Sequence, residues 1–396
     1  MSGLEAPPDN PVPPEVDQVS RQFGATSPPH RPEFDLSFGA LRDCSALTDL
    51  WSDLDQPDPM SGLADYPTTQ GPERLRIAFA NLMEAEGSDL QDPDTFVATH
   101  GALDAIGHAL RSINPDRILF PSPGFDMAIA ANRTSGTCEP IRWGPGGSVQ
   151  ELLDALCIAL RSGDPGKTAV VVNFPANPSG ATPTETEWIT LVELTAEMDA
   201  YLIVDDVYRF SGPPTQRPST SGNHVVVVDS VSKRLGLPGL RLGFARATGR
   251  LLSGIRASVG ECSVGVSLAV AELGSHALER YCADSSIAAS TQLELSRRRD
   301  AVRHTLKPEL LDSLVLVDDG IYGCLLFPSL DVESEVWKRA RANDILLTPS
   351  SAMSSEPLRT PFLRFCVGAT ADLVKPFQCI NEVMDEVSGL RPNLSP

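Results

Sequence analysis

The chain has 396 residues, 41% of them hydrophobic, which is enough to bury a large core and indicates about two or three domains. Acidic residues outnumber basic ones by 52 to 32, and the net charge of −20 excludes the basic surface of a nucleic-acid-binding protein. No apolar run approaches the ~20 residues that span a bilayer, and the eight cysteines form no C-x-x-C pair, which favours reduced thiols over a disulfide framework or a metal site.

The first segment, residues 1–32, is rich in proline and poor in apolar residues. A segment of this composition cannot bury enough surface to fold, so we predict a disordered acidic tail. It lacks the apolar stretch of a secretory signal peptide. We therefore expect a cytoplasmic protein that binds neither nucleic acid nor membrane.

From residue 73 onward, helical periodicity alternates with short runs of Val, Ile and Leu. The predicted helices are 73–86, 102–112, 149–162 and 185–199, and the predicted strands are 95–99, 117–120, 168–173, 201–205, 224–229 and 242–245. Continuous apolar strands between helices are typical of a mostly parallel sheet covered on both faces. We predict an α/β fold with this sheet sandwiched by helices, and ligands beyond the carboxyl ends of its strands.

The remaining sequence predicts a smaller α+β domain. Its expected elements are a long helical stretch at 269–306, strands at 313–317 and 322–327, a helix at 332–343, a strand at 361–367 and a helix at 372–387. No internal repeat is present. The predicted organisation is a tail (1–32), an arm with part of the small domain (33–65), a large domain (66–285) and a C-terminal small domain (286–396).

Candidate binding residues follow the first two strands. Gly101, Ala102 and Leu103 lie where a strand passes into a helix, and the free N–H groups of a helix N-terminus bind phosphate. A plain strand–helix turn is the alternative. Phe125 follows a rigid Pro-x-Pro-Gly turn after the next strand and would stack on a flat ring, unless it is a core residue.

Polar groups also follow the next two strands. Asn177 lies in a turn of prolines and glycine after strand 168–173. Asp205 ends strand 201–205, and Tyr208 comes three residues later. Taken alone, both segments are also typical of ordinary turns at strand ends. In the second, Asp205 would cap the segment that follows.

Lys233 gives these segments a common chemistry. It follows the buried run 225–228, and an amine is costly to bury unless it is used, for example to form a Schiff base with a carbonyl. Ser230, Ser232 and Arg241 lie close in sequence and would hold a phosphate. An aldehyde with a phosphate describes pyridoxal 5′-phosphate (PLP).

A PLP ring would give the other residues defined roles. Asp205 would pair with the pyridine nitrogen and keep it protonated, while Tyr208 and Asn177 would hydrogen-bond the phenolic oxygen. Arg364 is a single cation in the apolar strand 361–367 and would bind a substrate carboxylate, or else form a structural ion pair.

In this order and spacing, the motifs resemble the class I/II aminotransferases, which belong to fold type I of the PLP enzymes. They are Gly-Ala before a helix, an aromatic residue after Pro-x-Pro-Gly, Asn-Pro-x-Gly, Asp-x-x-Tyr, Ser-x-x-Lys with Arg eight residues later, and an arginine in the final strand. The resemblance covers about residues 33–390. It departs from the pattern at Leu103, where many relatives have Ser, Thr or Tyr.

The resemblance implies a transaminase, with Lys233 as Schiff-base lysine and proton shuttle between an amino acid and a 2-keto acid. It implies that Arg364, Asn177 and the backbone of Gly39 bind the substrate. Tyr66 would reach the phosphate of a neighbouring subunit, which implies a homodimer with shared active sites.

Two alternatives are distinguished from this expectation. The first is another reaction of the same cofactor on an amino acid, in specialised metabolism: decarboxylation, C–S or β-elimination, cyclisation or oxidation. The sequence does not distinguish these reactions from transamination. Some transcription regulators join a similar domain to a DNA-binding module, but residues 1–32 are too short and acidic for one.

Overall fold

The structure is a computed structural model that describes residues 32–37, 39–52, 64–88, 91–124, 136–162, 167–209, 223–354, 358 and 360–389. Within these residues the strands are β1 (Phe34–Asp35), β2 (Phe96–Thr99), β3 (Arg117–Ser122), β4 (Thr137–Arg142), β5 (Thr168–Asn173), β6 (Tyr201–Asp205), β7 (Val225–Ser230), β8 (Gly243–Arg246), β9 (Leu314–Val315), β10 (Tyr322–Leu326), β11 (Ile345–Leu346), β12 (Thr348–Pro349) and β13 (Phe362–Cys366).

The helices in the same residues are α1 (Ser45–Ser52), α2 (Glu73–Ala85), α3 (Ala102–Ile113), α4 (Val149–Ser162), α5 (Glu185–Glu197), α6 (Val231–Arg234), α7 (Gly249–Cys262), α8 (Leu268–Ala283), α9 (Ser285–Thr305), α10 (Pro308–Leu311), α11 (Leu330–Ala342) and α12 (Val374–Gly389). Capping fixes several of their first residues. The hydroxyl of Thr184 and the carboxylate of Glu187 form a capping box at the start of α5, so an orphan donor at each position is satisfied.

Seven strands form the large sheet, in the order β2-β8-β7-β6-β5-β3-β4. The pairs β3–β4, β3–β5, β5–β6 and β6–β7 are parallel, and β8 is antiparallel to both of its neighbours. The predicted α/β fold with a mostly parallel sheet is therefore confirmed. β4 was not predicted, because this edge strand is largely exposed and lacks an apolar run.

The sheet separates two hydrophobic clusters, which is why its central strands are apolar on both faces. Along β6, Ile203 packs into the cluster that contains Phe244, whereas Leu202 and Val204 pack into the cluster that contains Trp188. Successive side chains of a strand point to opposite faces, so both faces of β6 are covered. Helices α2, α3, α7 and α8 flank the first cluster, and α4 and α5 flank the second.

A second, antiparallel sheet has the order β12-β13-β10-β9. The helical stretch expected at 269–306 is two helices, because Asp284 leaves the helical conformation and its side chain accepts a hydrogen bond from the Ser286 N–H at 3.0 Å. The two elements are thus separated by an N-cap. The domain limits given above stay a prediction.

Residues 34–37 and 39–42 are bound to the small domain by backbone hydrogen bonds, and β1 pairs in parallel with β11 in a separate two-stranded sheet. Leu36 donates to Leu346 at 3.0 Å and accepts from Cys366 at 2.9 Å, and Arg42 donates to Gly368 at 2.8 Å. Residues 37 and 39 are consequently held between these anchors, next to the carboxyl ends of the large sheet.

Three further observations concern the described part of the chain. None of its helices combines the length and apolar character needed to cross a membrane. All eight cysteines are free. No group of three or more His, Cys, Asp or Glu side chains is arranged to hold a metal ion in the residues that the structure describes.

Candidate active site

Lys233 lies one residue short of the end of α6, the single helical turn that follows β7. Strand β7 is buried along its whole length and passes directly into this turn, and the Val231 N–H is bound to the carbonyl of Leu242 at 3.1 Å. The Nζ of Lys233 donates to the backbone oxygen of Gly39. Burial lowers the pKa of Lys233 from 10.5 to about 8, so a usable fraction of the amine is neutral near physiological pH.

A buried ion triad anchors the turn that carries this lysine. Arg234 is fully buried and pairs with Asp229 and with Glu86, at the end of α2. The other carboxylate oxygen of Asp229 accepts from the N–H of Ser230 at 2.6 Å. Buried charges need partners of this kind, and the triad ties the four-residue helix to both the strand and α2. Sequence reasoning missed it, although an arginine directly after Lys233 in an apolar context was a usable signal.

Asp205 ends β6 beside a cleft that is also lined by Asn177 and Trp143. Among the described residues, its Oδ1 receives a single hydrogen bond, a long one of 3.4 Å from the N–H of Val207. Burial raises the pKa of Asp205 to about 7. A buried carboxyl group with so little stabilisation is suited to a cationic partner in the cleft.

Arg364, on β13, reaches the same region from the small sheet. Its Nη1 donates to Oδ1 of Asn177 at 2.8 Å, and its Nη2 donates to the carbonyl of Ser37 at 2.5 Å and to the hydroxyl of Thr348 at 3.0 Å. Its Nε is buried and has no hydrogen-bond partner in the part of the chain that the structure describes. The guanidinium makes no ion pair with a carboxylate of the described residues, so the structural ion pair considered above is not found there.

The turn that carries Asn177 is fixed by neighbouring strand ends. The backbone N–H of Asn177 donates to Oδ1 of Asn173 at 2.9 Å, and Nδ2 of Asn173 donates to the backbone oxygen of Asp205 at 3.0 Å. The ends of β5 and β6 therefore set the position of this amide.

Tyr208 is buried and its hydroxyl lies 3.0 Å from the hydroxyl of Tyr322. The two rings meet edge to face, with centroids 5.2 Å apart. The guanidinium carbon of Arg364 lies 4.3 Å from the centroid of the Tyr322 ring. Sequence reasoning missed Tyr322, because it begins a predicted strand like any core aromatic residue, and the pairing of that strand with the strand of Arg364 is not visible locally.

The glycines at the ends of β2 and β8 allow three chain segments to approach closely. Gly243 is opposite both Thr99 and Ser230 in the sheet, so the turn after β2 and the turn after β7 lie on the same edge. A Cβ at Gly243 would lie 2.6 Å from the carbonyl oxygen of Asp229 and 2.8 Å from the carbonyl carbon of Gly101. Only a glycine fits at this point.

Arg241 reaches the start of α3 across this contact. Its Nη2 donates to the carbonyl of His100 at 3.3 Å, and a Cβ on Gly101, whose φ is +92°, would lie 2.8 Å from the same nitrogen. Ala102 and Leu103 form the first turn of α3. The guanidinium and a helix N-terminus thus occur together, which suits a phosphate.

The other predicted residues are distributed as follows. Ser230 and Ser232 are buried at the end of β7 and in α6. Gly39 faces Lys233 through its carbonyl. Tyr66 is 88% exposed, and Phe125 lies outside the described residues.

These groups match the parts of PLP. A carboxyl group of raised pKa beside an apolar cleft suits the ring nitrogen, and the arginine at a helix start suits the phosphate. The amine of Lys233, with its lowered pKa, suits the aldehyde. The residues that are present therefore fit this cofactor.

Comparisons with known proteins bear on the same region. The model of a family described as aminotransferase class I and II matches residues 35–377. Histidinol-phosphate aminotransferase of Halobacterium salinarum is 30% identical over 239 residues, covering 53% of this chain and 63% of that protein. Capreomycidine synthase of Streptomyces vinaceus is 29% identical over 180 residues, covering 44% of each. The chain thus spans about half the length of these curated relatives.

Among solved structures, the α-aminoadipate aminotransferase LysN of Thermus thermophilus has a TM-score of 0.76 at 17% identity, covering 94% of this chain and 95% of that one. It was solved with N-(5′-phosphopyridoxyl)-L-leucine. At this level of identity the likeness shows a shared fold.

Proposed function

The chain belongs to the class I and II aminotransferase family, whose members depend on PLP, and we propose that it moves an amino group between an amino acid and a 2-keto acid. The observation that carries this proposal is the proximity of an amine of lowered pKa, a carboxyl group of raised pKa and a guanidinium without a carboxylate partner among the described residues. They belong to Lys233, Asp205 and Arg364.

PLP, when bound, supplies an electron-withdrawing ring that makes the Cα–H bond of an attached amino acid acidic. Lys233 would hold the aldehyde carbon of the cofactor. When the substrate has displaced this amine, the Nζ of Lys233 would take the proton from Cα and return it to the cofactor carbon that the lysine had held. The lowered pKa favours both roles, because only the neutral amine can attack or accept a proton.

Asp205 would hold the ring nitrogen in its protonated form. A cation beside this carboxyl group would lower its pKa again and so keep the group ionised. Tyr208 and Asn177 would donate hydrogen bonds to the phenolic oxygen. The phosphate would be bound by Arg241, by the hydroxyls of Ser230 and Ser232, and by the start of α3 at Gly101, Ala102 and Leu103.

Arg364 would bind the substrate carboxylate. Its planar guanidinium is already oriented by Asn177, Ser37 and Thr348, so little side-chain entropy is lost on binding. The Gly39 backbone would lie beside the same carboxylate. The substrate class is accordingly an α-amino acid with a free carboxyl group.

A homodimer with shared active sites belongs to the same proposal. Tyr66 is a large aromatic residue that is 88% exposed, and in a dimer its hydroxyl would reach the phosphate in the partner's site. The free thiols of all eight cysteines also favour a reducing compartment such as the cytoplasm.

Borohydride reduction of the PLP-loaded protein tests the lysine assignment. We expect one reduced cofactor per chain, on the peptide that contains Lys233, and no labelled peptide or turnover in Lys233→Ala. Lys338→Ala, which changes an exposed lysine of α11, serves as the matched control and should behave like the wild type. Label on another lysine would contradict the proposal.

A half-reaction separates transamination from the other reactions of this cofactor. With an amino-acid donor alone, a transaminase converts its cofactor to the amine form and releases one keto acid per site. The similarity to capreomycidine synthase makes a cyclisation the second candidate. In that case the donor would be turned over repeatedly without accumulation of the amine form.

A further inference from the structure

Tyr322 connects two parts of the site that would bind different ligands. Its hydroxyl pairs with Tyr208 at 3.0 Å, on the side where a cofactor oxygen would lie. Its ring lies under Arg364 at 4.3 Å, on the side where a substrate carboxylate would bind.

We propose that Tyr322 is a positioning residue that couples the carboxylate-binding arginine to the cofactor-facing hydroxyl of Tyr208. The proposal rests on the function proposed above.

The first part of the coupling is the pair of hydroxyls. Among the described residues, Tyr208 is the hydrogen-bond partner of the Tyr322 hydroxyl, and both groups are buried. If Tyr322 donates its proton to the oxygen of Tyr208, the proton of Tyr208 remains available for the phenolic oxygen of the cofactor. Hydrogen bonds in such a chain polarise and strengthen one another.

The second part is the contact of the ring with the guanidinium. Tyr322 lies opposite Cys366 in the β10–β13 pair, and Arg364 lies opposite Cys324, so all four side chains share one face of the small sheet. A guanidinium over a buried aromatic ring is held by the ring quadrupole. The Tyr322 ring therefore supports the face of Arg364 that its hydrogen-bond partners leave uncovered.

The space around the hydroxyl fixes its position. A Cβ at position 39 would lie 1.9 Å from the Tyr322 hydroxyl oxygen, so the backbone of Gly39 closes one side. The titratable and charged groups that face Tyr322 from the packed elements are Arg364, Cys366, Tyr208, Asp205 and Lys233, the last through Gly39. A change confined to the hydroxyl leaves all of these in place.

Two substitutions separate the two contacts. Tyr322→Phe removes the hydroxyl and keeps the ring, so the affinity for PLP should fall about fivefold while the KM for the amino-acid donor stays within about twofold. The pKa of the Lys233–cofactor linkage, titrated by its absorbance, should rise. A weaker hydrogen-bond donor leaves more negative charge on the phenolic oxygen, and this charge stabilises the protonated form of the linkage. Tyr322→Leu also removes the ring and should raise the donor KM about tenfold.

A double-mutant cycle with Tyr208→Phe tests whether the hydroxyl acts through Tyr208. In the Tyr208→Phe background, Tyr322→Phe should change neither the PLP affinity nor the linkage pKa further. Tyr201→Phe changes a partly buried tyrosine at the opposite end of β6 and should match the wild type. If Tyr322→Phe has its full effect in the Tyr208→Phe background, the two effects are additive. Tyr322 would then have an independent structural role, and the coupling would be overturned.

Other outcomes also decide the proposal. An unchanged donor KM in Tyr322→Leu overturns the arginine contact, and if this variant fails to fold, as judged by thermal unfolding, the Tyr322→Phe cycle decides alone. If the wild type itself binds no PLP on Lys233, the proposed function fails. If the wild type binds and transaminates normally but Tyr322→Phe has no effect, only this inference fails.

Discussion

Lys233 and Asp205 have pKa values displaced in opposite directions by the same cause. Burial disfavours a charge of either sign, so the pKa of the lysine falls to about 8 and that of the aspartate rises to about 7. Without cofactor, both groups therefore change protonation within about one unit of neutrality. Two such residues close enough to interact electrostatically are typical of a catalytic site.

The shift at Lys233 predicts the pH dependence of cofactor attachment. Because only the neutral amine attacks an aldehyde, the attachment rate in the apo-protein should rise about tenfold per pH unit below pH 8 and level off above it. Stopped-flow absorbance at the wavelength of the new linkage measures this rate. A midpoint near 10.5, the ordinary value for lysine, would show that the amine is not buried as described.

The shift at Asp205 predicts opposite effects of one substitution on turnover and stability. Asp205→Asn keeps the shape but loses the charge that we propose to pair with the ring nitrogen, so kcat should fall on the order of a hundredfold or more, measured in steady-state assays. The folded carboxyl group titrates near 7 and the unfolded one near 3.8, so its cost to folding grows as pH rises between these values and is complete above pH 7.

The apo-protein of Asp205→Asn should accordingly have a higher melting temperature than the wild type at pH 8, and this gain should vanish towards pH 4. Asp206→Asn is the matched control, because it breaks a buried pair with Arg209. It should lower the melting temperature without a comparable loss of kcat. A lower stability of Asp205→Asn at pH 8 would contradict the assigned environment.

At the scale of secondary-structure elements, the site depends on how closely strand ends approach. Gly243 lies between the ends of β2 and β7, and the nearest atoms to its missing Cβ are backbone atoms, which cannot move aside like a flexible side chain. The residues that we propose to bind the phosphate therefore keep their positions only while residue 243 has no side chain.

Gly243→Ala should destabilise the protein by about 1–3 kcal/mol, because the added methyl forces the turns after β2 and β7 apart. Denaturant unfolding of the apo-protein measures this. Gly239→Ala is the matched control, since no atom of the described residues, apart from its chain neighbours, lies within 4 Å of the Cβ it would add. Equal stabilities of the two variants would show that the strand ends adapt without cost.

The sequence predicts elements best where burial is complete. Strands β5 and β6 were predicted with their observed limits, because continuous apolar runs carry the signal, whereas the exposed edge strand β4 carries none. Asp205, Asn177 and Lys233 could be assigned to one edge, because the carboxyl ends of parallel strands must meet there. Tyr322 could not be assigned to the site from the sequence. Its contact with Arg364 depends on the pairing of β10 with β13, which no local sequence pattern predicts.

At the scale of the whole molecule, the proposed dimer predicts complementation between inactive chains. If Lys233 acts with Tyr66 of a second copy, a mixed dimer of Lys233→Ala and Tyr66→Ala chains contains one site with both changes and one site with neither. Random association makes half of the dimers mixed, so an equimolar mixture should regain about a quarter of the wild-type activity.

Refolding the two variants together and assaying the mixture measures this recovery. The same variants refolded separately and then combined at low temperature serve as the control, because their subunits do not exchange. Sedimentation gives the oligomeric state. A wild type that remains monomeric at assay concentration would contradict the shared site.

The crowding between position 39 and Tyr322 limits how the pocket can be redesigned. A methyl at position 39 would lie 1.9 Å from the tyrosine oxygen and 2.8 Å from the ring carbon that bears it, so even phenylalanine at 322 leaves a clash. Position 39 cannot be enlarged alone, so a mutant library that varies only this codon should return glycine. Variants with a new substrate preference should emerge only when both codons are randomised together and the side chain at 322 becomes smaller as the one at 39 grows.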